Sequence, residues 1–237
     1  MRFGKSDKIQ FISTIEGLES IEECRPKPAK HFIPKWFKDI PNTDGMSVKV
    51  CPSFPDYFSQ GYIIPMWSDV RLNYNGKNWA WETPINDTKW DTHNNNQFLE
   101  YTDAKFNGID GQFVFKATCP WRIITPPGWS VLQLPLFYHF NQDWSILPGV
   151  IDTDTYHEIN QQVLYHGNGR DVIIKCGDPF VLYVPFKRSN KLSYEILYQT
   201  EKYKKIFSKL NLGLNQHFKP NGWYRKLQRD RDKGIDL

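Results

Sequence analysis

Two aspartates flank a single threonine in the run Pro148-Gly149-Val150-Ile151-Asp152-Thr153-Asp154-Thr155-Tyr156-His157. In an extended segment positions 152 and 154 share a face, so their carboxylates can hold a divalent cation or raise one another's pKa for proton transfer. Tyr156 would then close the set as an aromatic platform. Lys175, Lys187 and Arg188 would be the cationic groups beside a phosphate, with Mg²⁺ neutralising its charge and an aspartate activating water. A tight turn in which Asp and Thr side chains bond to their own backbone accounts for the same residues without chemistry. The sequence leaves both open.

His139, His157 and His166 form a second group to test, because two histidines and a carboxylate (Asp152 or Asp154) can make a facial triad for non-haem iron on a double-stranded β-helix. The compact H-x-D start of that arrangement is absent, and Asp91-Thr92-His93 runs in the reverse order. The expectation is therefore no resident cofactor and no stoichiometric transition metal, with Mg²⁺ or Fe²⁺ entering only under the hydrolase or oxygenase alternatives. Cys24, Cys51, Cys119 and Cys176 contain no C-x-x-C pair, which argues against zinc fingers and thioredoxin-like chemistry, and free, mostly buried thiols are expected. No G-x-S-x-G occurs, and Ser130 opens a strand rather than a strand-to-helix elbow.

Tryptophan is the unusual residue, at 9 of 237 positions. Trp79 and Trp81 share one strand face, and with Trp129 they suggest a stacked ligand surface or a protein interface. Nearby polar residues (Asn94 to Gln97, Gln142, Gln161 and Gln162) would suit a sugar-binding face. An aromatic-rich core is the plainer account.

The charge sits at one end. Residues 201–237 carry ten Lys or Arg against four Asp or Glu, whereas the formal charge of the whole chain is only +4. The tail has no helix-turn-helix or zinc signature, so a solvated helix or a docking arm is preferred to nucleic-acid binding. No apolar run approaches the roughly 18–20 residues of a membrane span, and the first eight residues lack a signal-peptide core, so a cytoplasmic location is expected.

Elements must position these residues, and the spacing predicts mostly strands. Val70/Leu72/Tyr74 alternate with Arg71/Asn73, and Asn75-Gly76 predicts a type I′ turn into residues 78–83. Further strands are expected at Ile9–Ile15, Gly111–Lys116, Trp129–Phe137, Gln161–Tyr165, Asp171–Ile174 and Phe180–Phe186, with a polar surface loop over 86–96. Pro34 and Pro41 bracket a short helical plug, expected to lie across a sheet. Tyr203, Ile206, Phe207 and Leu210 fall at i, i+3, i+4 and i+7, predicting one amphipathic helix ended by Gly213 and covering a face of the β body. The division expected is an N-terminal wrapping arm (1–44), a β-rich core (45–190) and a C-terminal helix with basic tail (191–237).

Ile-Pro-Lys-Trp-Phe (33–37), Gly-Tyr-Ile-Ile-Pro (61–65), Thr-Pro-Pro-Gly-Trp-Ser (125–130), Asp-Thr-Asp-Thr-Tyr (152–156) and Val-Pro-Phe-Lys-Arg (184–188) together resemble a protein family of marine cyanobacterial phages and some bacteria, with no established activity. Residues 126–186 also resemble the β-clip pattern of dUTPases and dCTP deaminases. The matching parts are Pro127-Gly128, Gly149-Val150-Ile151-Asp152 to Tyr156, and Ile173-Ile174-Lys175 with Gly177-Asp178 before a final strand. That resemblance implies an all-β β-clip or related barrel or sandwich (a jelly roll as the alternative), a homo-oligomer with a trimer as its natural form, an aspartate (Asp152 or Asp154) that orients water, and Tyr156 packed on a base. The sequence departs from the pattern in several places, among them a missing carboxylate-bearing metal motif near the start. One extra residue separates Asp152 from Tyr156, the serine-rich phosphate segment is missing, and Lys219-Pro220-Asn221-Gly222-Trp223 lacks the arginine-bearing closing motif. The fold pattern survives better than the chemistry, so a phage or bacterial binding or assembly protein is expected ahead of a nucleotide or sugar-phosphate hydrolase or an iron oxygenase.

Overall fold

In a computed structural model of the chain, residues 8–41, 47–85, 88–92, 113–189, 192–214 and 230 are described. The polar run 93–97, the histidine at 93 and the residues around Trp223 lie outside them. Two compact units divide the chain, Met1–Phe32 with Gln60–Asn190, and Ile33–Ser59 with Lys191–Leu237.

The first unit holds the described strands: β1 (Gln10–Ser13), β2 (Lys27–Pro28), β3 (Tyr62–Pro65), β4 (Val70–Tyr74), β5 (Trp79–Glu82), β6 (Trp90–Thr92), β7 (Phe113–Thr118), β8 (Trp121–Ile124), β9 (Trp129–Leu134), β10 (Trp144–Ile146), β11 (Gly149–Ile151), β12 (Asn160–Tyr165), β13 (Val172–Ile174) and β14 (Pro179–Lys187). They pair antiparallel in four sheets ordered β1-β8, β10-β12-β7-β6, β11-β9-β14-β3-β2 and β13-β4-β5. The all-β class expected from the sequence is the observed one, and among the described residues no sheet closes into a barrel. Short strands rich in Val, Ile and aromatics, punctuated by Gly and Pro, favour this pairing because branched and planar side chains pack well on a pleated surface.

Every sheet feeds the same core. Ile123 and Trp121 come from the first sheet, Phe115, Val163 and Tyr165 from the second, Val131, Phe180 and Tyr183 from the third, and Leu72 and Ile174 from the fourth. Trp67 and Trp144 both pack on Phe180, at ring separations of 5.7 and 5.2 Å. Gln161 and Gln133 are buried as well. Gln161 Nε2 donates to the Tyr183 hydroxyl (3.1 Å), which donates to Gln133 Oε1 (2.8 Å), and Gln133 Nε2 donates to Leu147 O (2.9 Å). Gln161 thus belongs to the core and not to a sugar-binding surface. Burial holds the Tyr183 phenol well above its ordinary pKa.

Several local expectations change. The β4–β5 hairpin forms, but Tyr74 pairs with Trp79, leaving a four-residue loop in place of a two-residue type I′ turn. Only Gly76 has positive φ there, and Asn75 Oδ1 accepts the amides of Lys77 and Asn78 instead. The expected loop 86–96 contains β6, because Trp90 buries its ring and residues 90–92 pair with β7. The strand expected to reach Phe137 stops at Leu134, where Pro135 has no amide to donate, and a 3₁₀ turn follows at Phe137–His139. Gly61 is required, since its φ is +66° and a Cβ would lie 2.1 Å from Tyr183 O.

The second unit contains α1 (Lys35–Asp39), α2 (Ser53–Phe58) and α3 (Glu201–Leu214). Phe54 and Phe58 lie one helical turn apart in α2, and Phe37 packs against both, at 6.2 and 4.8 Å. The expected plug therefore meets a helix that the aromatic run 54–58 conceals. In α3, Tyr203 stacks on Phe207 at 6.1 Å, as i and i+4 should, and the helix runs through Gly213 to Leu214. No described helix is long and apolar enough to cross a membrane.

Candidate functional site: a carboxylate–arginine clamp and an aromatic cleft

The turn Pro126–Trp129 starts the site. Pro127 presets the bend, Gly128 takes φ +83°, and Trp129 N–H donates to Pro126 O (3.2 Å), a type II turn that launches β9. β14 runs alongside, pairing Lys187 with Trp129, and Arg188 N–H then donates to Gly128 O (2.9 Å). β11 pairs with the other edge of β9, so that Ile151 faces Val131 and the next residue falls beside Ser130. Register alone thus brings residues 128–130, 152–154 and 188 together.

The segment after β11 turns and does not stay extended. Asp152 O accepts the amides of Thr155 (3.0 Å) and Tyr156 (2.9 Å), and Thr153, fully buried, pairs its hydroxyl with Thr125 Oγ1 at 2.8 Å. The turn still aims both carboxylates at one guanidinium. Arg188 grips Asp154 with two bonds (Nη1 to Oδ1 3.0 Å, Nη2 to Oδ2 2.5 Å), and Gly128 N–H donates to Oδ2 at 2.8 Å. Arg188 Nη1 also donates to Trp129 O (3.0 Å) and Ser130 Oγ (2.9 Å), and lies 3.3 Å from Asp152 Oδ1. Ser130 Oγ–H donates to that same Asp152 oxygen at 2.6 Å.

The two aspartates are not equivalent. Asp154 is 7% exposed, and the Arg188 guanidinium holds its carboxyl below the usual carboxylate range against the opposing effect of burial, with the Gly128 amide adding to the arginine's effect. Arg188 is pushed up in return, chiefly by Asp154. A carboxylate so paired is a poor proton acceptor. Asp152 is 55% exposed, with Oδ1 engaged. As a Mg²⁺ site the pair does not fit. Both oxygens of Asp154 and one of Asp152 are taken by N–H and O–H donors, which leaves a single oxygen where a divalent cation wants several.

The remaining sequence candidates are dispersed. The Tyr156 side chain stands in solvent beyond the turn. Trp129 carries Lys187 Nζ 5.7 Å over its ring. Lys175 lies between β13 and β14, 3.7 Å from Asp69. Trp79 stacks on Phe113 of β7 at 6.4 Å and stays exposed, and Trp81 packs against the core, well apart from the clamp residues in sequence and sheet. His157 Nδ1 faces two carbonyls, Thr153 O (3.0 Å) and Ile123 O (3.2 Å), and so carries its proton on Nδ1. His139 and His166 lie elsewhere, and among the described residues no group of three His, Cys, Asp or Glu could hold a metal.

Those two histidines line a cleft of about 370 Å³ walled by Phe137, Phe140, Trp144 and Ser145. Phe137 and Phe140 are 67% and 53% exposed, and Phe140 adopts φ +51°, a left-handed conformation that bulky residues avoid. Ser145 Oγ lies 3.0 Å from His166 Nε2. Burial lowers the pKa of both histidines, against Asp143 at His166 and a backbone bond at His139, so both are neutral at pH 7. Sequence reasoning named each histidine but not the cleft, because the 3₁₀ turn that opens it starts at the last residue of an expected strand and gave no signal of its own.

No family model matches the chain. No curated protein matches it. Among solved structures it is similar to the dUTPase of phage phi11 of S. aureus (13% identity, 82% of this chain and 96% of that one, TM-score 0.37). It is likewise similar to the Staphylococcus bacteriophage 80alpha dUTPase (11%, 83% and 97%, TM-score 0.37) and to the EIAV dUTPase (13%, 60% and 86%, TM-score 0.32). At these values no residue role follows from the likeness.

Proposed function

We propose that the chain works by binding, and that its ligand is a small, flat, largely apolar molecule seated in the cleft between Phe137, Phe140 and Trp144. The observation that carries this is the pairing of two open phenyl rings with a Ser145–His166 hydrogen bond in a cleft of about 370 Å³, a size and lining typical of ligand sites. The rings supply stacking area, and the hydroxyl and neutral imidazole supply one directional polar anchor. The Phe140 backbone fits the same reading, since strained φ values concentrate where a side chain must be presented to a partner. Self-association into a homo-oligomer, a trimer by the β-clip resemblance, is proposed alongside.

The test is a thermal-shift panel of free nucleobases, nucleosides, the four deoxynucleoside triphosphates with Mg²⁺, and neutral aromatic sugars. A stabilising hit among the uncharged planar compounds should vanish in Phe140→Ser and survive in Asp152→Asn. A hit confined to triphosphates, lost in Asp152→Asn and accompanied by phosphate release, would replace this reading with hydrolysis. Light scattering on the same samples counts subunits, and a strict monomer at high micromolar concentration would remove the assembly part.

A further inference from the structure

The cysteines are far apart in sequence, yet two of them meet. Cys24 ends the 3₁₀ turn Glu22–Cys24, Cys176 lies between β13 and β14, and their Sγ atoms are 3.0 Å apart across a sequence separation of 152 residues. Both thiols are free, Cys24 buried and Cys176 exposed.

Backbone on each side holds the approach. Gly177 N–H donates to Met66 O (2.8 Å), and Met66 N–H donates to Asp178 O (2.7 Å). The Cys176 amide donates to Asp69 Oδ1 (2.8 Å), and the Lys175 amide to Asp178 Oδ2 (3.0 Å). On the other side, Cys24 N–H donates to Ile21 O (3.1 Å), and its thiol reaches Trp67 O at 3.7 Å. Gly177 has φ +84°, and a Cβ there would sit 3.2 Å from Glu23 Cβ, so glycine lets the two turns close on one another. A disulfide bond is about 2.05 Å long, so the sulfurs need to close by only about 1 Å.

The geometry points to Cys24 and Cys176 as a redox-modification site, a thiol pair that a low-molecular-weight disulfide converts to an intramolecular disulfide, with Cys176 as the entry thiol and Cys24 as the resolving one. Access sets the order. The Cys176 thiolate attacks one sulfur of the small disulfide, forming a mixed disulfide and expelling one small thiolate. Cys24, deprotonated, then attacks the Cys176 sulfur and expels the second. The protein gives up two electrons and two thiol protons, the protons go to the two leaving thiolates, and the small disulfide is reduced to two thiols. Burial, reinforced by Cys176, pushes the Cys24 thiol up to about 12, which keeps Cys24 from reacting first, and the 3.0 Å approach of the two sulfurs lets it resolve the mixed disulfide once that forms. Cys119, buried and pushed up to about 11, and Cys51 serve as internal references.

The test incubates the reduced full-length chain with oxidised glutathione at neutral pH, quenches with acid, alkylates, and maps peptides without reduction. The expected product is a Cys24–Cys176 linked peptide with Cys119 alkylated, reversed by dithiothreitol and accompanied by a higher Tm. Cys24→Ser should trap glutathione on Cys176, whereas Cys176→Ser, a change on an exposed turn checked for folding by circular dichroism, should leave Cys24 unmodified. Wild-type chain that accumulates glutathione on Cys176 with Cys24 still alkylatable overturns the proposal. So does a chain in which Cys24 and Cys176 both stay reduced.

Discussion

At Arg188 one planar guanidinium gathers the turn before β9, the start of β9 and the loop after β11. A lysine carries the same charge but cannot reproduce the fork that grips Asp154. Arg188→Lys and Asp154→Asn should therefore each lower Tm by several degrees at pH 7, and the double variant should cost clearly less than the sum, since both singles break one interaction. Fully additive losses in thermal unfolding would show that the clamp is not a unit. The pH sign follows from the depressed Asp154 carboxyl. Its contribution is complete above the unfolded value of about 3.9 and is lost as pH falls through the lower folded value, so wild type and Asp154→Asn should converge only in strong acid. The sequence named Asp152, Asp154 and Arg188 as candidates, and it left a catalytic pair of aspartates and a self-bonded turn both open. What it lacked was the pairing: Arg188 lies 34 residues beyond Asp154, and the registers of β14 and β11 on β9 bring them together.

Elements were legible where one signal dominated. β4 alternates buried and outward residues as its sequence does, and the stripe in α3 stacks Tyr203 on Phe207. They were illegible where two periods fit, as at 53–58, where aromatics that suit a strand also fall at helical spacing. Asn75-Gly76 was a true hairpin signal with the wrong loop length, because register is decided by the strands and not by the dipeptide alone. Glycines show the same division. Gly61 and Gly76 both have positive φ, but a Cβ at Gly61 meets Tyr183 O at 2.1 Å, and one at Gly76 meets nothing within 4 Å. Gly76→Ala should cost about 1 kcal/mol, the left-handed backbone penalty. Gly61→Ala should cost at least ~3 kcal/mol, because two backbones must separate. Equal urea midpoints for the two variants would contradict this.

On the scale of the molecule, the β-rich class was readable from composition and turn spacing, whereas the sheet order was not, since antiparallel strands give no local sign of which neighbour they take. β14 shows why this matters. It lies between β9 and β3, and Phe180, Val181 and Tyr183 are fully buried. A chain ending at residue 178 should lose the near-ultraviolet circular dichroism of the packed Trp67 and Trp144 rings, which both lean on Phe180. A native-like spectrum from that fragment would deny β14 its central place. The same position also dictates how the protein is born. A ribosome delivers β3 and then more than a hundred further residues before β14 begins, which at about 5–20 residues per second is a wait of roughly 6–23 s. Until then the edge of β3 that β14 will cover stands bare at the crowded exit of the translation machinery, joined by the matching edge of β9 once that strand has been made. The nascent chain is thus most vulnerable to wrong partners until β14 emerges, so slowing elongation ahead of residue 179 should raise its demand for chaperones.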